Sequence, residues 1–293
     1  MINRIWILGV LFLSAQAEGA AFDFLGVDVS PRAAAMGGAQ AASARDGYAA
    51  VYNPAALGSV RSSQVSFSHS AHFIGTSIDA IGFSHVSGLG LSLRRFDSGQ
   101  VARTTVADPD GANLGDARLT ESIASLSYGR ALASTLRLGA SLGVFQRDAD
   151  GQRASAIAAD FGLLWANAGI EGVDLAAVVQ NLGSSLKTRS GEEPLPRAIR
   201  LGGAYRLAGS QNTIALIEGT KGHDAPWRAS VGAERVFSAG VSARAGWRSD
   251  AQTGFCFGVG WHGSQWGFDY ALLPLGDLGA SHRIGVNLHW GGD

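Results

Sequence analysis

The chain has 293 residues, a formal net charge of −1 and a single cysteine, Cys256. Charged residues make up only 16% and glycine fills 41 positions, a balance that suits a large all-β protein better than a soluble enzyme. The near-zero charge and the lack of a basic run exclude nucleic acid as an expected partner, and one cysteine excludes an internal disulfide framework.

The first predicted element is a leader. Arg4 gives a positive start, Ile5 to Leu13 an apolar core, and Ala15-Gln16-Ala17 a small-x-small cleavage site, so residues 1–17 are expected to be a secretory signal peptide. The apolar run is too short for a spanning helix, which needs about 20 residues. No later run approaches that length, so any membrane insertion has to use a β-barrel.

Residues 18–60 come next and hold neither helix nor strand for long. "SPRAAAMGGAQAASA" is nearly all small residues, Asp46 caps a short helical run, and Asn53-Pro54 breaks it. Such a segment suits a barrel lumen, because small residues allow close backbone packing and the Asp46 and Asn53 side chains can satisfy backbone groups away from water. Met36, Gly37, Gly38, Asp46, Asn53 and Pro54 are therefore the expected plug or hatch residues. A periplasmic tail is the other placement this composition allows.

From Gln64 to the end, apolar and polar residues alternate with a period of two. In "GFCFGVGWH", Phe255, Phe257, Val259 and Trp261 share one face, while Cys256, Gly258, Gly260 and His262 share the other. Alternation and turn residues predict fourteen strands, at 64–72, 77–86, 89–97, 118–128, 135–147, 153–166, 172–181, 198–207, 212–219, 227–237, 240–248, 253–262, 265–272 and 282–290. A soluble sandwich would alternate too. Two features separate the barrel from it: Trp227, Trp261, Trp266 and Trp290 sit at strand ends as in an aromatic girdle, and long and short connections alternate along the chain. The expected fold is all-β: a fourteen-stranded antiparallel up-and-down transmembrane barrel over 61–293 in the Gram-negative outer membrane, with a small N-terminal plug.

Motifs for chemistry are absent. "DPDGANLGD" lacks the order of calcium ligands that an EF-hand loop needs, and the seven histidines show no zinc spacing. No nucleophile elbow, phosphate loop or paired carboxylates stand out, so neither a cofactor nor enzymatic activity is expected. Asp160, Arg244, Asp269 and Arg283 are the lumen-facing candidates, with Glu121, Glu234, Arg137 and Arg228 beside them. Wall charges of both signs are ordinary in such a barrel.

"SPRAAAMGGAQAASARDGYAAVYNPAAL" resembles the N-terminal signature of the FadL-like outer-membrane proteins. "VVQNLGSSLK…EEPLPRAIRLGGAYRL" and "ARAGWRS…FCFGVGWHGSQWGFDYAL…LGASHRIGVNLHW" resemble the PorV/PorQ branch more closely. The resemblance implies a fourteen-strand barrel with a hatch, and two functions. PorV-type proteins dock or escort secreted proteins in type IX secretion, so the implied partner is secreted cargo or a secretion-machinery protein. FadL-type proteins instead pass hydrophobic small molecules such as fatty acids through a gated lumen and a lateral opening. The resemblance also implies contact with outer-membrane lipid. Short loops and no evident apolar stripe along the lumen lean towards docking, with the hydrophobic channel as the alternative.

Overall fold

The structure is a computed structural model that describes residues 24–72, 75–106, 108, 114–188, 191–207, 212–251 and 254–291. The expected leader lies outside the described residues. Fourteen strands form one closed antiparallel barrel. In chain order they are β1 Ser63–Ala71, β2 Ser77–Ser84, β3 Leu89–Asp97, β4 Leu119–Ala131, β5 Leu136–Ala149, β6 Gln152–Trp165 and β7 Val173–Gly183, followed by β8 Ala198–Arg206, β9 Thr213–Gly222, β10 Trp227–Val236, β11 Val241–Arg248, β12 Phe255–His262, β13 Trp266–Pro274 and β14 Ala280–Trp290. Each strand pairs with its sequence neighbours, and β14 closes the ring on β1 through a continuous register from Ser63↔Trp290 to Ala71↔His282.

The alternation decides the two faces. Phe67, Leu91, Leu126, Leu142, Ile157 and Phe257 point outward and are exposed, whereas their sequence neighbours Ser66, Ser68, Ser127, Ser141, Ala156 and Cys256 point inward and are buried. An apolar outside and a polar inside invert a soluble fold and match a barrel solvated by lipid. No helix among the described residues is long and apolar enough to cross a membrane. Trp227, Trp261, Trp266 and Trp290 all stand exposed at or next to strand ends, as a girdle requires.

The connections differ at the two ends. Those after odd strands include the longest, 98–118 and 184–197, and form the loop end; those after even strands, such as 85–88 and 237–240, form the turn end. Both long connections carry a small hairpin, Val101–Ala102 with Asp116–Ala117 and Leu186–Thr188 with Gly191–Glu193. These pairs are too short to show a period in the sequence. Leu142→Arg, in the middle of β5 on the outer face, should cost about 2–4 kcal/mol of folding stability in lipid vesicles, read by urea titration. An unchanged midpoint would place that face outside the bilayer.

Candidate functional site

Residues 24–60 fold into a compact segment inside the barrel. A short 3-10 turn, Phe24–Gly26, precedes helix α1, Pro31–Ala35, which starts at Ser30 and has proline at its first position. The Ala33 N–H donates to Ser30 Oγ at 3.4 Å. Gly37 and Gly38 end α1, with φ of 67° and 82°, a left-handed geometry that other residues resist. Helix α2, Ala49–Tyr52, leads to Asn53, whose side chain caps the 3-10 helix Pro54–Ser59 by accepting from the Ala55 N–H at 2.9 Å. The Asn53 amide donates to the Ala41 carbonyl at 2.8 Å and to the Leu163 carbonyl of β6 at 3.2 Å.

The wall meets this segment at glycines. A Cβ on Gly139 of β5 would lie 2.3 Å from the Pro54 carbonyl carbon, and one on Gly162 of β6 would lie 2.0 Å from Asn53 Oδ1. Across the lumen, a Cβ on Gly232 or Gly246 would collide with Met36, and one on Gly258 with Ala35. Backbone therefore touches backbone on both sides, which explains part of the chain's high glycine content.

Ion pairs fix the contact. Glu234 of β10 is buried and accepts from Arg32 Nε at 2.8 Å, from Arg244 Nε at 2.7 Å, and from Arg45. Arg244 reaches Asp269 at 2.5 Å, and Asn287 donates to Asp269 at 2.8 Å. Ser66 donates to Asn287 at 2.5 Å and accepts from the Gly47 N–H at 3.0 Å, so the chain of contacts returns to the segment. A second clamp is Glu218 of β9, which takes the Gln40 and Ala41 N–H groups at 2.9 and 2.8 Å and binds Arg200 at 2.6 Å. Buried pairs of this kind are specific, and removing one partner is expensive.

Within the segment, the Tyr52 hydroxyl accepts from the Val29 and Ser30 N–H groups, each at 3.1 Å. Asp46 accepts from Ser30 Oγ at 2.7 Å and from the Tyr48 N–H at 3.0 Å. Burial pushes the Asp46 carboxyl above its ordinary value, while the Ser30 hydrogen bond and the Arg32 charge oppose that shift.

On the loop side of β2–β6, the inner wall is apolar. Ile78, Phe96, Ile123, Phe145, Ala156 and Ala158 point inward and are buried in one cluster with Phe24. The Phe24 and Phe96 rings lie 6.1 Å apart. Leu186 and Leu195 of the 184–197 connection close the cluster from above. Arg147 secures that connection by pairing with Glu193 while also holding Glu121 at 2.7 Å.

Beside this wall, the β6–β7 ladder slips: Ala159 pairs with Leu182 but Phe161 with Val179. Among the described residues this is the one register shift in the barrel. It is a bulge on β7, with Asn181 at φ 58° and its N–H taken by Asp160 Oδ1 at 2.7 Å. Asn181 Nδ2 donates to the Pro196 carbonyl at 2.8 Å, and Gln180 reaches the Val51 carbonyl at 2.9 Å.

The sequence-predicted residues thus fall into separate groups. Arg244 and Asp269 share one network, which Asp46 adjoins through the cavity at the turn end. Arg283 lies at the loop side, donating to the Asp28 carbonyl, and Asp160 braces the bulge. Met36, Gly37, Asn53 and Pro54 meet the wall, while Gly38 faces the Asp28 carboxylate.

One expectation is corrected: the lumen does have an apolar stripe. Alternation hides it, because in "ESIASL" and "GVFQ" both faces of a strand carry apolar residues. Arg32, Asp28, Tyr52, Arg200 and Glu218 were also missed. Arg32 was legible as a charge alone in a small-residue run, and Arg200 and Glu218 as charges on the inward register.

These features define a class: a closed fourteen-strand membrane barrel whose lumen is filled by the chain's own N-terminal segment. No family model and no curated protein matches the chain. Solved structures do. CymD, a monoaromatic hydrocarbon channel, is similar with a TM-score of 0.66 at 13% identity, over 92% of this chain and 98% of that one. The toluene transporter TodX of Pseudomonas putida gives 0.60 at 12% identity, over 92% and 98%. A FadL homologue of Pseudomonas aeruginosa gives 0.57 at 11%, over 90% and 98%. At these identities the likeness is one of fold. The structural neighbours are channels of the FadL type.

Proposed function

We propose that the protein is a gated outer-membrane channel for small hydrophobic molecules, with its N-terminal segment, described over residues 24–60, as its plug. The observation that carries this reading is the apolar inner wall of β2–β6, which is covered at the loop end by Leu186 and Leu195 and borders the register shift at Asp160 and Asn181. A hydrophobic passenger needs an apolar site and a weak place in the wall through which to leave for the membrane. Ile157 and Phe161 stand exposed on the lipid face beside that place. The names of the similar structures, a monoaromatic hydrocarbon channel and a toluene transporter, support the same passenger class. A protein-docking role of the PorV/PorQ kind leaned on a lumen without an apolar stripe, so transport replaces it as the favoured reading.

The test is uptake of radiolabelled toluene by Gram-negative cells that lack their own hydrocarbon channel. Cells expressing the protein should take it up faster, and Phe145→Asp should remove about nine-tenths or more of the gain, because an unpaired carboxylate in an apolar site costs several kcal/mol. Uptake that is indifferent to Phe145→Asp, with the barrel folded, would sink the reading.

A further inference from the structure

On the outer face of the barrel, charged and apolar residues meet along a sharp line. Across the ladders of β1–β6, His69, Asp79, Arg95, Ser122, Gln146 and Ser155 stand in one outward row. The next outward row toward the turn end is Phe67, Ile81, Leu93, Ala124, Val144 and Ile157. A wholly polar row thus lies two residues, about 7 Å along the strand, from a wholly apolar one. That step marks the edge of the hydrocarbon on the loop side and puts the polar row at the depth of lipid head groups.

A groove of about 500 Å³ crosses this step. Its floor is Phe67, Ile81, Leu93, Ile284 and Val286, and its edge on the loop side is His69, Asp79 and Arg95. The three ionisable side chains are each more than half exposed. Asp79 Oδ1 lies 2.7 Å from His69 Nδ1, so an imidazole already occupies that carboxylate. Arg95 is not occupied in this way. Its one polar contact among the described residues is a long approach of 3.6 Å to Asp97, which Arg118 already binds through Nε at 2.8 Å and through Nη2. A guanidinium with unfilled donors at head-group depth attracts anionic lipid, and its planar fork matches phosphate oxygens in pairs.

We infer that this groove is a binding site for a phosphate-bearing lipid of the loop-side leaflet, with an acyl chain on the apolar floor and the phosphate on Arg95. The Asp79–His69 pair walls the other side of the head group. Free phosphate has no chain to lay on Phe67 and Leu93, so the floor selects the lipid over the bare anion. Phe67 belongs to β1, and Ile284 and Val286 belong to β14, so the seated chain also covers the seam where the barrel closes.

The experiment is native mass spectrometry of the detergent-solubilised protein mixed with dioleoylphosphatidate, or with dioleoylglycerol, which has the same chains and no phosphate. Heat-modifiable gel mobility checks that each variant is folded. The barrel should retain phosphatidate at concentrations where it does not retain dioleoylglycerol. Arg95→Gln should raise the concentration for half occupancy about tenfold or more, the scale of a lost charge-assisted hydrogen bond. Arg235→Gln removes an exposed arginine from the outer face at the turn end of β10 and should leave that concentration unchanged. Inorganic phosphate in large excess should not displace the lipid. Equal retention of the two lipids, no loss with Arg95→Gln, an equal loss with Arg235→Gln, or displacement by inorganic phosphate would each overturn the site. Lipid binding is read directly, so a negative toluene uptake result leaves this inference standing.

Discussion

Glu234→Ala should free the N-terminal segment and turn a closed barrel into a conducting one. Glu234 is the point where Arg32 and Arg45 of the segment meet Arg244 of the wall. Without it, the anions left near Arg32 are Asp46, already held by Ser30 and the Tyr48 N–H, and Asp269, already shared with Arg244 and Asn287. Arg32 is buried, so it loses its carboxylate without gaining water. Breaking a buried pair from one side costs about 3–5 kcal/mol, enough to reverse the seating of a segment of a few dozen residues. In planar bilayers the variant should show a raised single-channel conductance, and residues 24–60 should become sensitive to protease. The double variant Glu234→Ala/Arg32→Met should regain part of the closure, since removing both charges avoids the uncompensated cation. Wild-type conductance in the single variant would mean that the glycine contacts alone seat the segment.

The barrel was far more legible than its contents. Period-two alternation is a repeated local signal, so each of the fourteen strands could be located from residues such as Phe255 to Trp261 without knowledge of its partners. The inward charges could be read from the same register, and Arg244 and Asp269 came out of it. Their grouping could not be read. Which of Glu218, Glu234 or Asp269 meets Arg32 depends on how an irregular segment lies across the lumen, and no period encodes that path. The bulge at Asn181 was equally hidden, because a single left-handed residue near the end of β7 looks like the start of a loop. The apolar wall was obscured for a third reason. Phe145 and Val144 are adjacent, and alternation assigns only one of them to the outside without saying that the inside is apolar as well.

Gly139→Val should displace the segment as strongly, by sterics in place of charge. The first atom of the new side chain would sit 2.3 Å from the Pro54 carbonyl carbon and 2.4 Å from the Ala55 nitrogen, distances that no rotamer relieves because both are backbone. Pro54 cannot retreat easily, since Asn53 ties it to Ala41 on one side and to Leu163 of the wall on the other. Overpacking a well-filled interior typically costs about 1–3 kcal/mol, and a backbone collision belongs at or above the top of that range. The ladder of β5 with β4 and β6 does not involve the segment, so the barrel should still form and show heat-modifiable mobility. Conductance and protease sensitivity of residues 24–60 should both rise, and Gly139→Ala should give a smaller change in the same direction. Gly219→Ala on the outer face is the control. Its added carbon would meet only the Trp227 ring at 3.4 Å, an ordinary contact, and should leave closure intact. If Gly139→Val stays closed and protected, the segment has room to shift and its tight seating against β5 is wrong; if it opens while the control does not, small residues on the inner wall are what let the chain close its own pore.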